Sequence, residues 1–260
     1  MSTNFKDFIA RNSVTPSKAI PLVHTTAAYF VDSIRKADAL TPQTCDVFNT
    51  PLTYFFVGRP AYKVHEGDGE AERWELPCCF IFEYDVVAMP TRVFPFDSGA
   101  FARDRMPSYL KMMPMDDFEV SATPDAPLKI IGAYFPDANS YLHGKPNEVS
   151  SFQQTFSLGV FDDQIEAVHR LALEKHNKGV DDRRLSVEIQ TDQVIDLKVH
   201  KPIAVVAPAP YFDDPDFRDH VTKVWGARPI PYPVSSLSTG AYYGSIYERV
   251  YEFYKELGLI

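Results

Sequence analysis

The sequence predicts an α+β fold, and three observations carry that prediction. Stretches with strand and helix character do not alternate regularly enough for a doubly wound parallel sheet. The 21 prolines and 14 tyrosines favour many short strands and loops over a helical bundle. No repeat, low-complexity tract or Gly/Ser-rich linker interrupts the 260 residues, so the chain reads as a single domain over 1–260, with 1–16 as a lead-in and 240–260 as a closing helix.

The elements follow in order. A short helix is expected at Phe5–Arg11. Residues 18–24, KAIPLVH, read as a strand ending in His24-Thr25-Thr26. A helix follows over 27–37, where Tyr29, Phe30, Ile34 and Ala37 recur at helical spacing and Thr25 or Thr26 can cap it. Residues 52–57 form an aromatic and β-branched strand that meets Gly58-Arg59-Pro60, a constrained turn holding a rigid cationic fork. Residues 65–73 form an acidic loop, and 76–87 (LPCCFIFEYDVV) are apolar enough for a central strand.

Beyond it, 92–99 read as a loop, 107–113 as a short helix and 129–134 (KIIGAY) as a strand. Residues 163–178 predict an amphipathic helix with Ile165, Val168, Leu171 and Ala172 on one face and Gly179 as its stop. Residues 185–190, 194–197 and 203–207 read as strands and 213–225 as a helix. The last helix, 242–257, has Tyr243, Ile246, Tyr247, Val250, Phe253 and Tyr254 on its apolar side.

Composition narrows the function classes. A net charge of −9 argues against a general nucleic-acid or membrane-surface binder, though a local basic groove is compatible with it. Three cysteines, Cys78 and Cys79 adjacent, make no disulfide framework and point to a reducing compartment. The polar start and the lack of an apolar run near the ~20 residues that span a bilayer lead to the expectation of a cytoplasmic protein without a membrane partner. The phosphate-binding glycine motifs of dinucleotide folds and P-loops are missing, as is a His-Glu-x-x-His zinc motif. His169 and His176 share one helix face without further ligands and read as solvated. Ser98 in Asp97-Ser98-Gly99 lacks the surroundings of a nucleophile elbow.

Three residues remain as a constellation: His24 in Val23-His24-Thr25-Thr26, Tyr54 in Thr53-Tyr54-Phe55, and Glu188 in Arg184-Leu185-Ser186-Val187-Glu188-Ile189-Gln190. In order and in element type this resembles the ADP-ribosyltransferase superfamily of the His-Tyr-Glu kind, toxin-like branch. That family has a His-x-Thr/Ser segment leading into a helix, a Tyr on the second strand and a Glu on a late strand. The match covers short motifs within 20–200, and Thr25 stands where many members have Gly.

The resemblance implies a split mixed or antiparallel β-sheet core with flanking helices. It implies NAD as substrate, no metal, and transfer of ADP-ribose to a macromolecule, either nucleic acid (RNA above all) or protein. Glu188 would hold the ribose 2′-hydroxyl and stabilise an oxocarbenium-like state. His24 and Thr25 would bond ribose, Tyr54 and Phe56 would contact the nicotinamide, and Arg59 would meet the diphosphate.

Basic clusters at Lys175, Lys178, Arg183 and Arg184, and at Arg92, Arg103, Arg105 and Lys111, are candidates for tracking an acceptor's phosphates. A toxin-like or phage-defence effector with an antitoxin or inhibitor partner is the biological setting implied. Three other readings stand beside it: an RNA 2′-phosphotransferase-like enzyme, a non-catalytic NAD- or nucleotide-binding module on the same fold, and an unrelated α+β hydrolase using Glu188 or the Asp97-Ser98 loop.

Overall fold

The computed structural model describes residues 4–61, 69–174 and 182–260, the side chains of 182 and 183 excepted. Its strands are β1 (Leu22–Ala27), β2 (Ala39–Leu40), β3 (Gln43–Cys45), β4 (Thr50–Val57), β5 (Pro77–Phe82), β6 (Arg92–Phe94), β7 (Glu188–Thr191), β8 (Ile195–Asp196), β9 (Ala204–Pro208) and β10 (Arg228–Tyr232). Its α-helices are α1 (Phe5–Arg11), α2 (Ala28–Ala37), α3 (Ser98–Ala102), α4 (Ala126–Tyr134), α5 (Ala138–Leu142), α6 (Val149–Phe156), α7 (Asp163–Leu173), α8 (Ala209–Asp213), α9 (Pro215–Asp219) and α10 (Thr239–Glu256). The α+β class read from the sequence holds. The chain gathers into two compact units, Met1–Ala19 with Val87–Thr191, and Ile20–Val86 with Asp192–Ile260. Each unit takes two separate segments, so no linker marks a boundary.

The unit of Ile20–Val86 and Asp192–Ile260 is built on a mixed sheet in the order β10-β9-β5-β1-β4, with β3 on β4. Only β9 and β10 run parallel; the pairs β9/β5, β5/β1 and β1/β4 are antiparallel. All six residues of β5 are buried, as the unbroken apolar run Pro77–Phe82 requires of a central strand. One face carries Phe55, Phe80 and Phe82, with Phe55 and Phe82 rings 5.7 Å apart and Phe80 5.8 Å from Trp225. Each such ring contributes about 1.5–3 kcal/mol of burial. β5 is shorter than the sequence suggests: Tyr84–Val86 turns into a 3₁₀ helix.

α2 presents an early correction. Neither Thr25 nor Thr26 caps it; both lie in β1, and the N-cap is Ala27 without a side-chain bond. The strand runs past His24 because β5 pairs with it to Ala27↔Pro77. At its far end Asp38 takes the left-handed conformation, φ 49°. The Asp38 carboxylate gathers His220 Nε2 at 2.6 Å, Trp225 Nε1 at 2.9 Å and Lys198 Nζ at 2.6 Å. Its carbonyl accepts Leu197 N–H at 2.7 Å. Burial works to raise the Asp38 pKa, but the bonds from Lys198, His220 and Trp225 outweigh it and bring the group to about 2. The expected helix at 213–225 is broken: Pro215 forces Asp214 into an extended conformation, ψ 115°, and a π-helical turn follows at His220–Val224.

The unit of Met1–Ala19 and Val87–Thr191 is helical around the short antiparallel pair β6/β7. Asn4 caps α1, whose Phe5, Phe8 and Ile9 are buried. Phe8 meets Phe156 edge-on at 4.9 Å, and Phe152 stacks on His169 at 4.0 Å. KIIGAY belongs to α4, not to a strand: Pro127 sits in the first turn, and buried Pro127, Ile130, Ile131 and Tyr134 recur at the helical period. Gly132 in that helix has a physical cause, since a Cβ there would stand 2.2 Å from the Val14 carbonyl oxygen. His169 is not solvated; it is buried, with Nε2 2.7 Å from the Asn147 carbonyl, and burial lowers its pKa despite that bond. Residues 92–99 are not a loop throughout, because Arg92–Phe94 pairs with β7. Residues 107–113 form successive turns rather than a helix. Among the described residues no helix is long and apolar enough to cross a membrane.

Candidate functional site

β1 and β4 pair through only Leu22↔Val57 and Val23↔Phe56, although β1 continues to Ala27 and β4 begins at Thr50. The ladder stops at His24. There the imidazole replaces the next backbone bond, its Nδ1 lying 2.9 Å from the Tyr54 carbonyl. Burial pulls the His24 pKa below its ordinary value, against the opposing effect of that bond. A neutral ring at neutral pH follows, with Nδ1–H donating to the carbonyl and Nε2 left as an acceptor.

The register also corrects the expected grouping. Val23 opposite Phe56 puts Phe56 and Tyr54 on one face of the sheet and His24 with Phe55 on the other. His24 and Phe55 rings are 5.8 Å apart. The side chains of His24 and Tyr54 therefore do not share a face; the link between the two residues is the bond from the imidazole to the Tyr54 backbone carbonyl. Phe56, expected as a ligand contact, is buried. Tyr54 is half-buried and donates its hydroxyl to Cys45 Sγ at 2.7 Å. Thr25 stands opposite Cys79 in the β1/β5 register, and its buried hydroxyl has no hydrogen-bond partner among the described residues. Burial pushes both Cys78 and Cys79 thiols up, so they are inert packing groups.

Gly58-Arg59-Pro60 is as constrained as its sequence suggests. Gly58 has φ 65° and donates to the Pro21 carbonyl at 2.8 Å. Two tight turns follow, Arg59 N–H to Val57 O and Ala61 N–H to Arg59 O, each 2.7 Å. They hold Arg59 buried, its guanidinium 5.6 Å from the centre of the Tyr247 ring on α10. Tyr247 is a neighbour that the sequence reading placed only on an apolar helix face.

Glu188 begins β7 in the other unit and is fully buried. Its Oε1 accepts Ser98 Oγ–H at 2.7 Å and a Gln190 Nε2 hydrogen at 2.6 Å, and its Oε2 accepts Ser98 N–H at 3.2 Å. Burial first, then the neighbouring Asp97 carboxylate, push the Glu188 pKa up to about 8, against the bonds that favour its charged form. The expectation of a carboxylate pointing into a cleft is corrected: the turn Asp97-Ser98 closes over it.

Asp97 caps α3 by accepting Ala100 N–H at 2.6 Å, which is why Ser98 is delivered to that position. Ser98, Asp97 and Gln190 are the polar neighbours that the sequence reading missed or set aside. The spacing Glu-x-Gln on one strand face was the available signal. A carboxyl that titrates near neutrality beside a hydroxyl can hold or move a proton.

The basic clusters change character. Lys175 and Lys178, with His176, Gly179 and residues 65–68 of the 65–73 loop, lie outside the described residues, as does the Arg183 side chain. Arg184 is buried and donates to the Glu174 carbonyl at 2.8 Å. Arg92 pairs with Glu119 at 3.8 Å and Lys111 with Asp104 at 2.7 Å. Much of this charge is thus committed internally. Among the described residues no group of three or more His, Cys, Asp or Glu side chains is placed to hold a metal ion. Comparison with known proteins finds no matching family model and no matching curated protein.

Proposed function

We propose that this chain is an NAD-dependent ADP-ribosyltransferase on an ADP-ribosyltransferase-like fold, acting on a macromolecule as a toxin-like or defence effector. The observation that carries the reading is the parting of β1 and β4 at His24, just before α2. A strand pair that stops pairing there leaves the edge of β1 beyond His24 without its β4 partner, with a neutral imidazole at the point where the strands part. Arg59, at the turn that ends β4, suits the diphosphate of a dinucleotide. The resemblance gives Glu188 the role of the carboxylate for the ribose 2′-hydroxyl. When bound NAD loses nicotinamide, the C1′–N bond breaks with its electron pair leaving on the ring, and Glu188, once deprotonated, stabilises the positive charge left on the ribose; because the folded carboxyl holds its proton up to about pH 8, transfer should rise as pH approaches that value. An acceptor oxygen or nitrogen then attacks C1′ and gives up its proton to the carboxylate. Labelled NAD⁺ incubated with RNA, DNA and cell lysate tests this: label moves to one macromolecular fraction with the native chain and not with Glu188→Gln.

One observation favours a second reading, a non-catalytic nucleotide-binding module. Glu188 has no exposed surface, and its two oxygens are already engaged by Ser98 and Gln190. Under that reading NAD raises the melting temperature but no label is transferred.

A further inference from the structure

One cleft lies wholly within the unit of Ile20–Val86 and Asp192–Ile260. It measures about 350 Å³ and is lined by Ala28, Tyr29, Asp32, Arg73, Trp74 and Tyr211. Three of its six lining residues are Tyr or Trp. Two of those rings stand in solvent to a degree that needs a reason: Tyr29 is 69% exposed and Trp74 51%. The next ring along α2, Phe30, is 52% exposed and meets Tyr29 edge-on at 5.1 Å. Trp74, Tyr29 and Phe30 therefore form an exposed set of aromatic faces beginning at the cleft.

One cation at the cleft, Arg73, is placed to meet a phosphate, although the acids Asp32, Glu72 and Glu75 stand near it. Asp32, the acid of the cleft, is held by Arg35 at 2.8 Å and Lys36 at 2.6 Å, and those bonds lower its pKa. Arg73 makes no ion pair among the described residues, and its charge acts on the Tyr211 hydroxyl, whose pKa burial raises. Of the acids flanking Arg73, Glu75 turns its carboxylate back onto Glu72 N–H at 2.9 Å.

We propose that this cleft binds single-stranded nucleic acid, seating one base between Trp74 and Tyr29, with Arg73 on the adjoining phosphate. Flat rings at a small open cleft with one cation beside them suit a base and its phosphate, because every base has a π-face and stacking needs no fixed sequence. The continuation onto Phe30 suits a polymer better than a lone nucleotide, since a second base has a ring to meet. With Glu72 and Glu75 nearby, stacking outweighs charge, so the salt dependence is shallow, corresponding to about one phosphate. Binding is independent of any transfer chemistry; that the bound strand is the acceptor rests on the proposed transferase reading.

The test uses the full chain and 12-nucleotide mixed-sequence RNA and DNA strands with a fluorescent end label, read by anisotropy. The chain's two tryptophans are distinguishable: Trp225 is fully buried with its N–H on Asp38, so quenching by a stacked base reports Trp74. The expected result is binding with tryptophan quenching, loosened about tenfold or more by Trp74→Ala and by Tyr29→Ala, and largely kept by Trp74→Phe. Duplex of the same sequence binds more weakly, since its bases are already stacked. Glu188→Gln binds the strand as the native chain does, which separates failure of this proposal from failure of the transferase reading. Absence of strand binding, affinity unchanged in both alanine variants, or AMP and NAD displacing the strand at its own concentration would each overturn the assignment.

Discussion

Glu188 makes stability depend on pH in a direction that can be worked out. Its carboxyl titrates near 4.5 in an unfolded chain and at about 8 when folded. Between those values the folded state holds a proton that the unfolded state has lost. Stability is then fully present below about 4.5 and falls as pH rises, by about 1.4 kcal/mol per pH unit at most. Across the whole window the ceiling is about 5 kcal/mol. Asp97 shares the site, which spreads the titration over two carboxyls, and we expect about 2–4 kcal/mol.

Urea unfolding followed by far-ultraviolet circular dichroism, from pH 5 to pH 8.5, measures it for the native chain and Glu188→Gln. Other groups titrate in both, so the difference between the two curves isolates Glu188. That difference should widen steadily towards high pH in favour of the glutamine variant, even though its amide NH₂ would face the Ser98 N–H that Oε2 now accepts. Asp97→Asn should flatten the native slope by removing the neighbouring charge. Parallel native and Glu188→Gln curves would show that Glu188 is not held protonated, and the reasoning from burial would fail.

Two further predictions concern the fold. Gly132→Ala places a methyl 2.2 Å from the Val14 carbonyl oxygen and 2.6 Å from its carbon, so backbone must move; a loss of at least about 2–3 kcal/mol in urea unfolding is expected, and a loss under 0.5 would show that the lead-in does not pack there. Asp38→Ala leaves Trp225 Nε1, His220 Nε2 and Lys198 Nζ without their shared acceptor. Because the folded Asp38 pKa lies below its unfolded value, this stabilisation is present above about 4 and lost as pH falls towards about 2. With a side chain 15% exposed, it is worth about 1–2 kcal/mol at neutral pH; thermal melts at pH 3 and pH 7 should differ less for the variant than for the native chain.

Legibility in the sequence followed how local the determinants were. α1 forms where it is expected, at Phe5–Arg11, and α10 forms where the apolar spacing predicts, beginning three residues earlier than 242. β4 is legible from Tyr54-Phe55-Phe56-Val57 and ends at Gly58 as expected. KIIGAY misleads because β-branched Ile130 and Ile131 suit a strand, while the decisive contacts are remote: Asn12 Nδ2 to the Lys129 carbonyl at 2.7 Å, and Gly132 against Val14. Arg92–Phe94 reads as a loop because only its pairing with Glu188–Gln190 makes it a strand. The candidate site divides in the same way. His24, Tyr54, Arg59 and Glu188 can be singled out as candidates from residue type and order, but sheet faces depend on register, and a one-residue difference sends His24 and Tyr54 to opposite sides. The enclosure of Glu188 by Ser98 joins residues 90 positions apart, and no local pattern announces it.

The most direct test of the proposed activity is single-turnover transfer from NAD⁺ labelled in the adenylate half, with RNA, DNA and protein acceptors offered separately. Label on one acceptor class, with free nicotinamide released in equal amount, is expected for the native chain, and Glu188→Gln should reduce it by at least about a hundredfold. No label on any acceptor, or equal transfer by Glu188→Gln, would contradict the assignment of this chain as a transferase working through Glu188.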